Sequence, residues 1–150
     1  MTDVKALYQE IILDHNKHPR NFKKIERADR EVEGYNPLCG DHYTIYVKLD
    51  GDKVEDIGFT GAGCAISKAS ASIMTDEVKG KSKEDFKRLF DTFHSLVTGT
   101  FEGDPESLGK LAVFSRVSEY PARVKCASLA WHTMRSALNS KEQKATVTTE

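Results

Sequence analysis

The side chains best suited to chemistry are three cysteines, Cys39, Cys64 and Cys126, and one aspartate, Asp41, two positions after the first of them in the stretch NPLCGD. A thiolate is both a nucleophile and a soft metal ligand, and a carboxylate adds a hard oxygen. Three sulfurs and one oxygen make a tetrahedral donor set that zinc accepts and that also suits an iron–sulfur cluster. The spacing is open, with 25 and then 62 positions between successive cysteines, unlike a paired CxxC motif. Three unrelated small hydrophobes would satisfy the same spacing, since free cysteine is commonly buried. Placement at element boundaries favours the shared site. Cys39 falls in a strand–strand turn between Pro37 and Gly40, Cys64 opens a helix after Gly61-Ala62-Gly63, and Cys126 lies early in the last helix. Helix starts carry partial positive charge and free N–H groups, so Cys64 and Cys126 are expected to deprotonate more readily.

Hydrophobic periodicity predicts the elements that must position these residues. Val4, Leu7, Tyr8, Ile11 and Ile12 recur at helical spacing, and Pro19 ends that helix. In HYTIYVKL the residues Tyr43, Ile45, Val47 and Leu49 alternate with Thr44, Tyr46 and Lys48, which predicts a strand. Asp50-Gly51 signals a hairpin, VEDIGFTG is the return strand, and a shorter strand near Arg30–Gly34 completes a meander. A helix starting about Cys64 has Ile66, Ala69, Ser70 and Ile73 on one face, its small residues suited to lying close to the sheet. Ser82 caps a helix with the stripe Phe86, Leu89, Phe90, Phe93 and Val97, ended by Gly99. Asp104-Pro105 starts a short segment through Leu111. The last long helix follows Pro121, with the stripe Val124, Ala127, Ser128, Trp131, Met134 and Leu138. Residues 141–150 are polar and aperiodic, which predicts a disordered tail. The expected fold class is α+β, one domain over 1–150, with a small antiparallel three-stranded sheet packed against helices.

Composition narrows the function classes. Net charge is −1, so no electrostatic footprint for nucleic acid or an acidic membrane stands out. The apolar runs fall far short of the roughly 18 residues of a spanning helix. The start MTDVKALYQEI is charged and amphipathic, unlike a secretory signal, so a cytoplasmic location is expected. There thiols stay reduced, and an odd number of cysteines points to metal binding or thiol chemistry.

At NPLCGD, GAGCAIS and VKCASLAW, and in the first helix ending LDHNKHPRN, the sequence resembles the U-type iron–sulfur cluster assembly proteins, the family of IscU, SufU and the N-terminal domain of NifU. The resemblance runs from about residue 4 to 139. It implies a SufU/IscU-like fold in which Cys39, Asp41, Cys64 and Cys126 converge at one end as metal ligands. In the IscU branch a histidine directly precedes the third cysteine, where this chain has Lys125. The segment GTFEGDPESLGKLAVFSRVSEYPARVK is longer than IscU proteins carry and is similar to the SufU insertion. The chain is therefore identified as a SufU-type member. That implies a zinc-dependent, sulfurtransferase-like acceptor that takes persulfide sulfur from a SufS-like cysteine desulfurase, with downstream cluster assembly or acceptor proteins as further partners. The alternative is a scaffold that assembles and hands on a transient [2Fe–2S] cluster, with iron or the cluster in place of Zn2+. A structural zinc domain without chemistry is the third reading.

Within that resemblance Cys39 is the expected persulfide acceptor, because a turn between strands can swing. Cys64 and Cys126, tied to helix starts, suit a fixed platform, and Asp41 is expected to stay on the metal while a partner-supplied ligand replaces Cys39. Gly40 permits the tight turn that brings Cys39 and Asp41 together. Arg123 is a supporting residue by similarity to an arginine of the SufU branch, and Lys125 is either a partner contact or a solvated charge. Of the five histidines, His15 and His18 are expected at a surface or partner contact. His42 is turned away by strand alternation, His132 lies about 240° around the helix from Cys126, and His94, beside the aromatic stripe, is a structural or surface residue. The GAG turn lacks a phosphate-loop lysine, so its role is close backbone approach to the site.

Overall fold

The structure is a computed structural model that describes residues 4–140 and 142–148. Helix α1 (Val4–Lys17) is followed by strands β1 (Arg30–Asn36), β2 (Asp41–Asp50) and β3 (Lys53–Ala62), then helices α2 (Ala65–Val78) and α3 (Lys83–Thr98). Two 3₁₀ segments, Pro105–Phe114 and Val117–Glu119, lead to helix α4 (Pro121–Asn139) and strand β4 (Lys144–Thr148). Among the described residues no helix is long and apolar enough to cross a membrane.

The fold is α+β as expected, but the sheet has four strands in the order β3-β2-β1-β4 and is mixed. The meander β1–β2–β3 is antiparallel, whereas β4 joins β1 in parallel, Val32 opposite Ala145 and Gly34 opposite Val147. The expectation of a three-stranded antiparallel sheet and an unstructured tail is corrected at this strand; Lys141, Thr149 and Glu150 of that tail lie outside the described residues. The physical reason is alternation on a small scale. Ala145 and Val147 are half-buried against the core while Lys144, Thr146 and Thr148 face out, which is enough for an edge strand on an existing sheet. The β2–β3 turn also sits one residue later than expected, with Gly51 and Asp52 as its two loop residues between paired Asp50 and Lys53.

One face of the sheet presents Val32, Tyr43, Ile45, Val47, Ile57 and Phe59, all inaccessible to solvent, to the helices. Trp131 of α4 anchors the helical layer. It stacks on Phe93 of α3 at 4.2 Å and donates its indole N–H to Ser70 of α2 at 3.1 Å. Burial of each such aromatic contributes on the order of 1.5–3 kcal/mol. The serines of α2 serve its neighbouring helices as well as close packing. Ser70 Oγ donates to the Ala127 carbonyl of α4 at 2.5 Å, and Ser72 contacts His15 of α1 at 2.7 Å. The predicted caps are present: Ser82 accepts from the Asp85 N–H, and Gly99 ends α3 in the left-handed region. The segment after Asp104 is 3₁₀ rather than α and runs to Phe114, with Leu111, Val113 and Phe114 buried.

Candidate metal centre

The site is built where β1, β2, α2 and α4 meet. The β1–β2 hairpin turns through Pro37, Leu38, Cys39 and Gly40, and Gly40 holds φ +72°, a conformation that glycine adopts without steric cost. That turn exposes Cys39 and delivers Asp41 as the first residue of β2. Cys64 is the N-cap of α2, its sulfur accepting from the Ser67 N–H at 3.4 Å. Cys126 lies in the second turn of α4, with no exposure.

Cys39, Asp41 and Cys126 each offer one donor atom, and these atoms lie within 4.8 Å of one another. The Cys126 thiol donates to Cys39 Sγ at 3.2 Å. Cys64 stands beside this triad rather than inside it. Its backbone N–H donates to Asp41 Oδ1 at 2.9 Å, and its thiol reaches Cys126. All three cysteines are free. The structure thus brings the four sequence-nominated residues to one place, with three in mutual reach and the fourth tied to them.

The chemistry of the set fits a soft or borderline cation. Asp41 is 1% exposed, and its Oδ2 has no hydrogen-bond partner among the described residues. A buried carboxylate oxygen without a partner is costly, and a cation is the partner that a cluster of thiols and carboxylate can share. Two sulfurs each about 2.3 Å from a tetrahedral ion stand roughly 3.8 Å apart, so Cys39 and Cys126 need to open by about half an ångström. Cys39 lies in a turn, which allows it. Burial first, then the Cys39 contact and the negative neighbours Cys64 and Asp41, push the Cys126 thiol well up. The expected easing of deprotonation at a helix start is therefore reversed at Cys126, because it lies a turn inside the helix and fully buried.

The backbone is shaped around the carboxylate. A Cβ on Gly63 would come within 2.5 Å of Asp41 Oδ1 and 2.6 Å of the Tyr43 hydroxyl, so this position must stay glycine for the β3–α2 turn to lie against the site. This is the close approach expected of the GAG turn. Tyr43, Ser67 and Asn36 were not nominated from sequence. Ser67 Oγ donates to the Cys64 carbonyl at 3.0 Å and accepts from the buried Tyr43 hydroxyl at 2.9 Å, which fixes the first turn of α2. Burial pushes the Tyr43 hydroxyl up, so it stays protonated. Asn36 Nδ2 lies 3.7 Å from Cys126 Sγ. Its signal was legible: a polar residue in phase with Val32 and Gly34 on the buried face of β1.

The flanking cations diverge. Arg123 lines a cleft of about 690 Å³ together with Cys64, Tyr8, Ile12, Arg116 and Tyr120. Lys125 lines a different cleft, with His94, His132 and Arg135. None of the histidines joins the cluster among the described residues. His15 corrects the surface reading: it is 1% exposed and bonded to Ser72. His42 is exposed and stacks on Tyr35, and His132 packs edge-on against Phe90.

Residues 7–145 match the family described as NifU-like N terminal domain. The chain is 40% identical over 140 residues to the zinc-dependent sulfurtransferase SufU of Bacillus subtilis, covering 93% of this chain and 95% of that one. It is 39% identical over 138 residues to the iron–sulfur cluster assembly scaffold protein IscU of Streptococcus pyogenes, covering 92% and 86%. A crystal structure of a putative iron–sulfur cluster assembly scaffold protein for the SUF system from Fervidobacterium islandicum superposes with a TM-score of 0.82 at 39% identity, covering 91% of this chain and all of that one. A fold of this topology with three cysteines and an aspartate drawn to one end, matched over nearly its whole length, places the chain in the NifU-like N-terminal domain family of iron–sulfur cluster assembly proteins, which includes IscU and SufU.

Proposed function

We propose that this protein is a zinc-dependent sulfur acceptor in iron–sulfur cluster assembly, working in the cytoplasm with a cysteine desulfurase and passing sulfur on to cluster assembly or acceptor proteins. Cys39, Asp41, Cys64 and Cys126 would hold the zinc. When bound, the metal would keep its thiolate ligands ionised near neutral pH and shield them from oxidation. The observation that carries the reading is the unequal setting of one cluster: Cys39 is exposed on a turn, while Asp41 and Cys126 are buried and Asp41 Oδ2 has no hydrogen-bond partner among the described residues.

Cys39 Sγ attacks the outer sulfur of the desulfurase persulfide. A bond forms between Cys39 Sγ and that sulfur, the partner's S–S bond breaks, and the partner cysteine leaves as thiolate. No oxidant or reductant is consumed. Leu38, 72% exposed beside Cys39, and Tyr120, 60% exposed on the Cys64 cleft, offer apolar contact for a protein partner. Arg123 supports the partner's acidic groups from the same cleft, whereas Lys125 opens elsewhere.

A second reading has its own support: a relative named as a scaffold is as similar as the sulfurtransferase. On that reading the same residues receive a [2Fe–2S] cluster as cargo. One experiment separates them. The zinc-loaded and chelated proteins are each added to desulfurase and cysteine, and sulfane sulfur is mapped by mass spectrometry. Sulfur acceptance is expected on Cys39 of the zinc-loaded wild type and on no site of folded Cys39→Ala. Wild-type acceptance in Cys39→Ala overturns the acceptor assignment. A visible absorption band that survives desalting after anaerobic reconstitution, without sulfur transfer, favours the scaffold.

A further inference from the structure

Asn36 touches three of the four donor residues. It is wholly buried at the end of β1 and pairs in register with Asp41. Its backbone carbonyl accepts the Cys39 N–H at 3.2 Å, which closes the turn. Its side-chain Nδ2 points at Cys126 Sγ at 3.7 Å, within the range of an N–H···S hydrogen bond. Its Oδ1 is buried and has no partner among the described residues. Rotating the amide would put Oδ1 against a sulfur whose own proton goes to Cys39. The carboxamide is therefore held with its donor on the sulfur and its acceptor unused, an arrangement that a purely structural polar residue would not favour.

The sulfurs differ in the donors they receive. Cys126 Sγ has the Asn36 amide, and Cys64 Sγ has the Ser67 backbone N–H at 3.4 Å. Among the described residues the donor that Cys39 Sγ receives is the Cys126 thiol, with no N–H group on it. An N–H donor stabilises charge on a thiolate and withdraws electron density from it, which keeps the sulfur ionised and oriented as a resident ligand and makes it a poorer nucleophile.

We propose that Asn36 is a positioning residue that ranks the three sulfurs: its amide holds Cys126 as a fixed, charge-stabilised ligand and leaves Cys39 the reactive one. This rests on the metal-binding acceptor reading above and assigns the ranking of its thiolates to a named side chain. Asn36→Asp replaces the donor by an anionic acceptor at the same shape, and Asn36→Leu removes it with the same branching and somewhat larger bulk. Each variant, verified as folded by circular dichroism, is loaded with cobalt(II) alone and with zinc(II) alone. The thiolate-to-cobalt charge-transfer bands are expected to move to lower energy than in wild type. In Asn36→Leu, which adds no charge, zinc affinity read by chelator competition is expected to fall about 10- to 100-fold. Unchanged bands and unchanged affinity overturn the inference while the metal site stands. Wild-type protein without thiolate–cobalt bands overturns the metal reading and the inference with it. The unmutated protein supplies a check that needs no variant. Loaded with an NMR-active cadmium isotope, it is expected to show scalar coupling between the metal and the Asn36 side-chain amide protons, and its absence overturns the hydrogen bond.

Discussion

Replacing Asp41 by asparagine should act with opposite sign on the metal-free and metal-loaded protein. Asp41 Oδ1 accepts the Cys64 N–H at 2.9 Å, which an amide oxygen can reproduce. Oδ2 is buried without a hydrogen-bond partner among the described residues, and an amide nitrogen would take its place. A stranded buried polar group costs about 1–3 kcal/mol, and a charged one more. Exchanging a stranded carboxylate oxygen for a stranded neutral group should therefore stabilise the metal-free protein by about 1–2 kcal/mol. For a chain of this length that is a rise in melting temperature of roughly 2–8 °C. In the loaded protein the same change removes an anionic oxygen ligand. A loss of 10- to 100-fold in zinc affinity corresponds to about 1.4–2.7 kcal/mol. The increment in melting temperature on adding saturating zinc should shrink accordingly. Differential scanning calorimetry of both proteins, with zinc and with chelator, reads all four states. If Asp41→Asn melts lower than wild type in chelator while its zinc increment is unchanged, then Asp41 is a structural hydrogen-bond acceptor and the reasoning fails.

Two further outcomes test the frame around the site. His15 is buried and bonded to Ser72; burial first, then Arg20 and Lys110, hold its imidazole below its usual value, so it is neutral in the fold. Its contribution is present above about pH 6.5, the unfolded value, and is lost as pH falls through the lower folded value. Urea unfolding between about pH 7.5 and 5 should show stability falling toward acid. His15→Gln should flatten that slope to the share of His132, which burial also lowers. An unchanged slope removes His15 from the account. Ending the chain at Ser140 removes β4 with half-buried Ala145 and Val147, and should lower stability by about 1–3 kcal/mol, read as a lower urea midpoint. An unaltered midpoint would mean that the fourth strand adds nothing to the sheet.

The local elements were legible because their signals are local. Tyr43, Ile45, Val47 and Leu49 alternate, and three of them are fully buried on the helix-facing side. Ser82 and Gly99 bound α3 through a cap and a left-handed terminus that each depend on a few neighbouring residues. The strand β4 escaped because five residues with two half-buried side chains carry too little hydrophobic contrast, and their pairing partner lies over a hundred positions earlier. His15 escaped for a related reason: near the end of an amphipathic helix, its neighbours in sequence do not reveal that Ser72 covers it.

The sequence alone determined which atoms could do chemistry here, three sulfurs and a carboxylate, and put Cys39 and Asp41 at a turn and Cys64 at a helix start. Residue type and local periodicity suffice for that. Only the tertiary structure decided how unequal those atoms are. It buries Asp41 and Cys126, leaves Cys39 exposed, aims the Asn36 amide at one sulfur, and sends Arg123 and Lys125, two positions apart, into different clefts. Burial and hydrogen bonding depend on which distant segments close over a group, and here those segments are β1, β2, α2 and α4, drawn from nearly the whole chain.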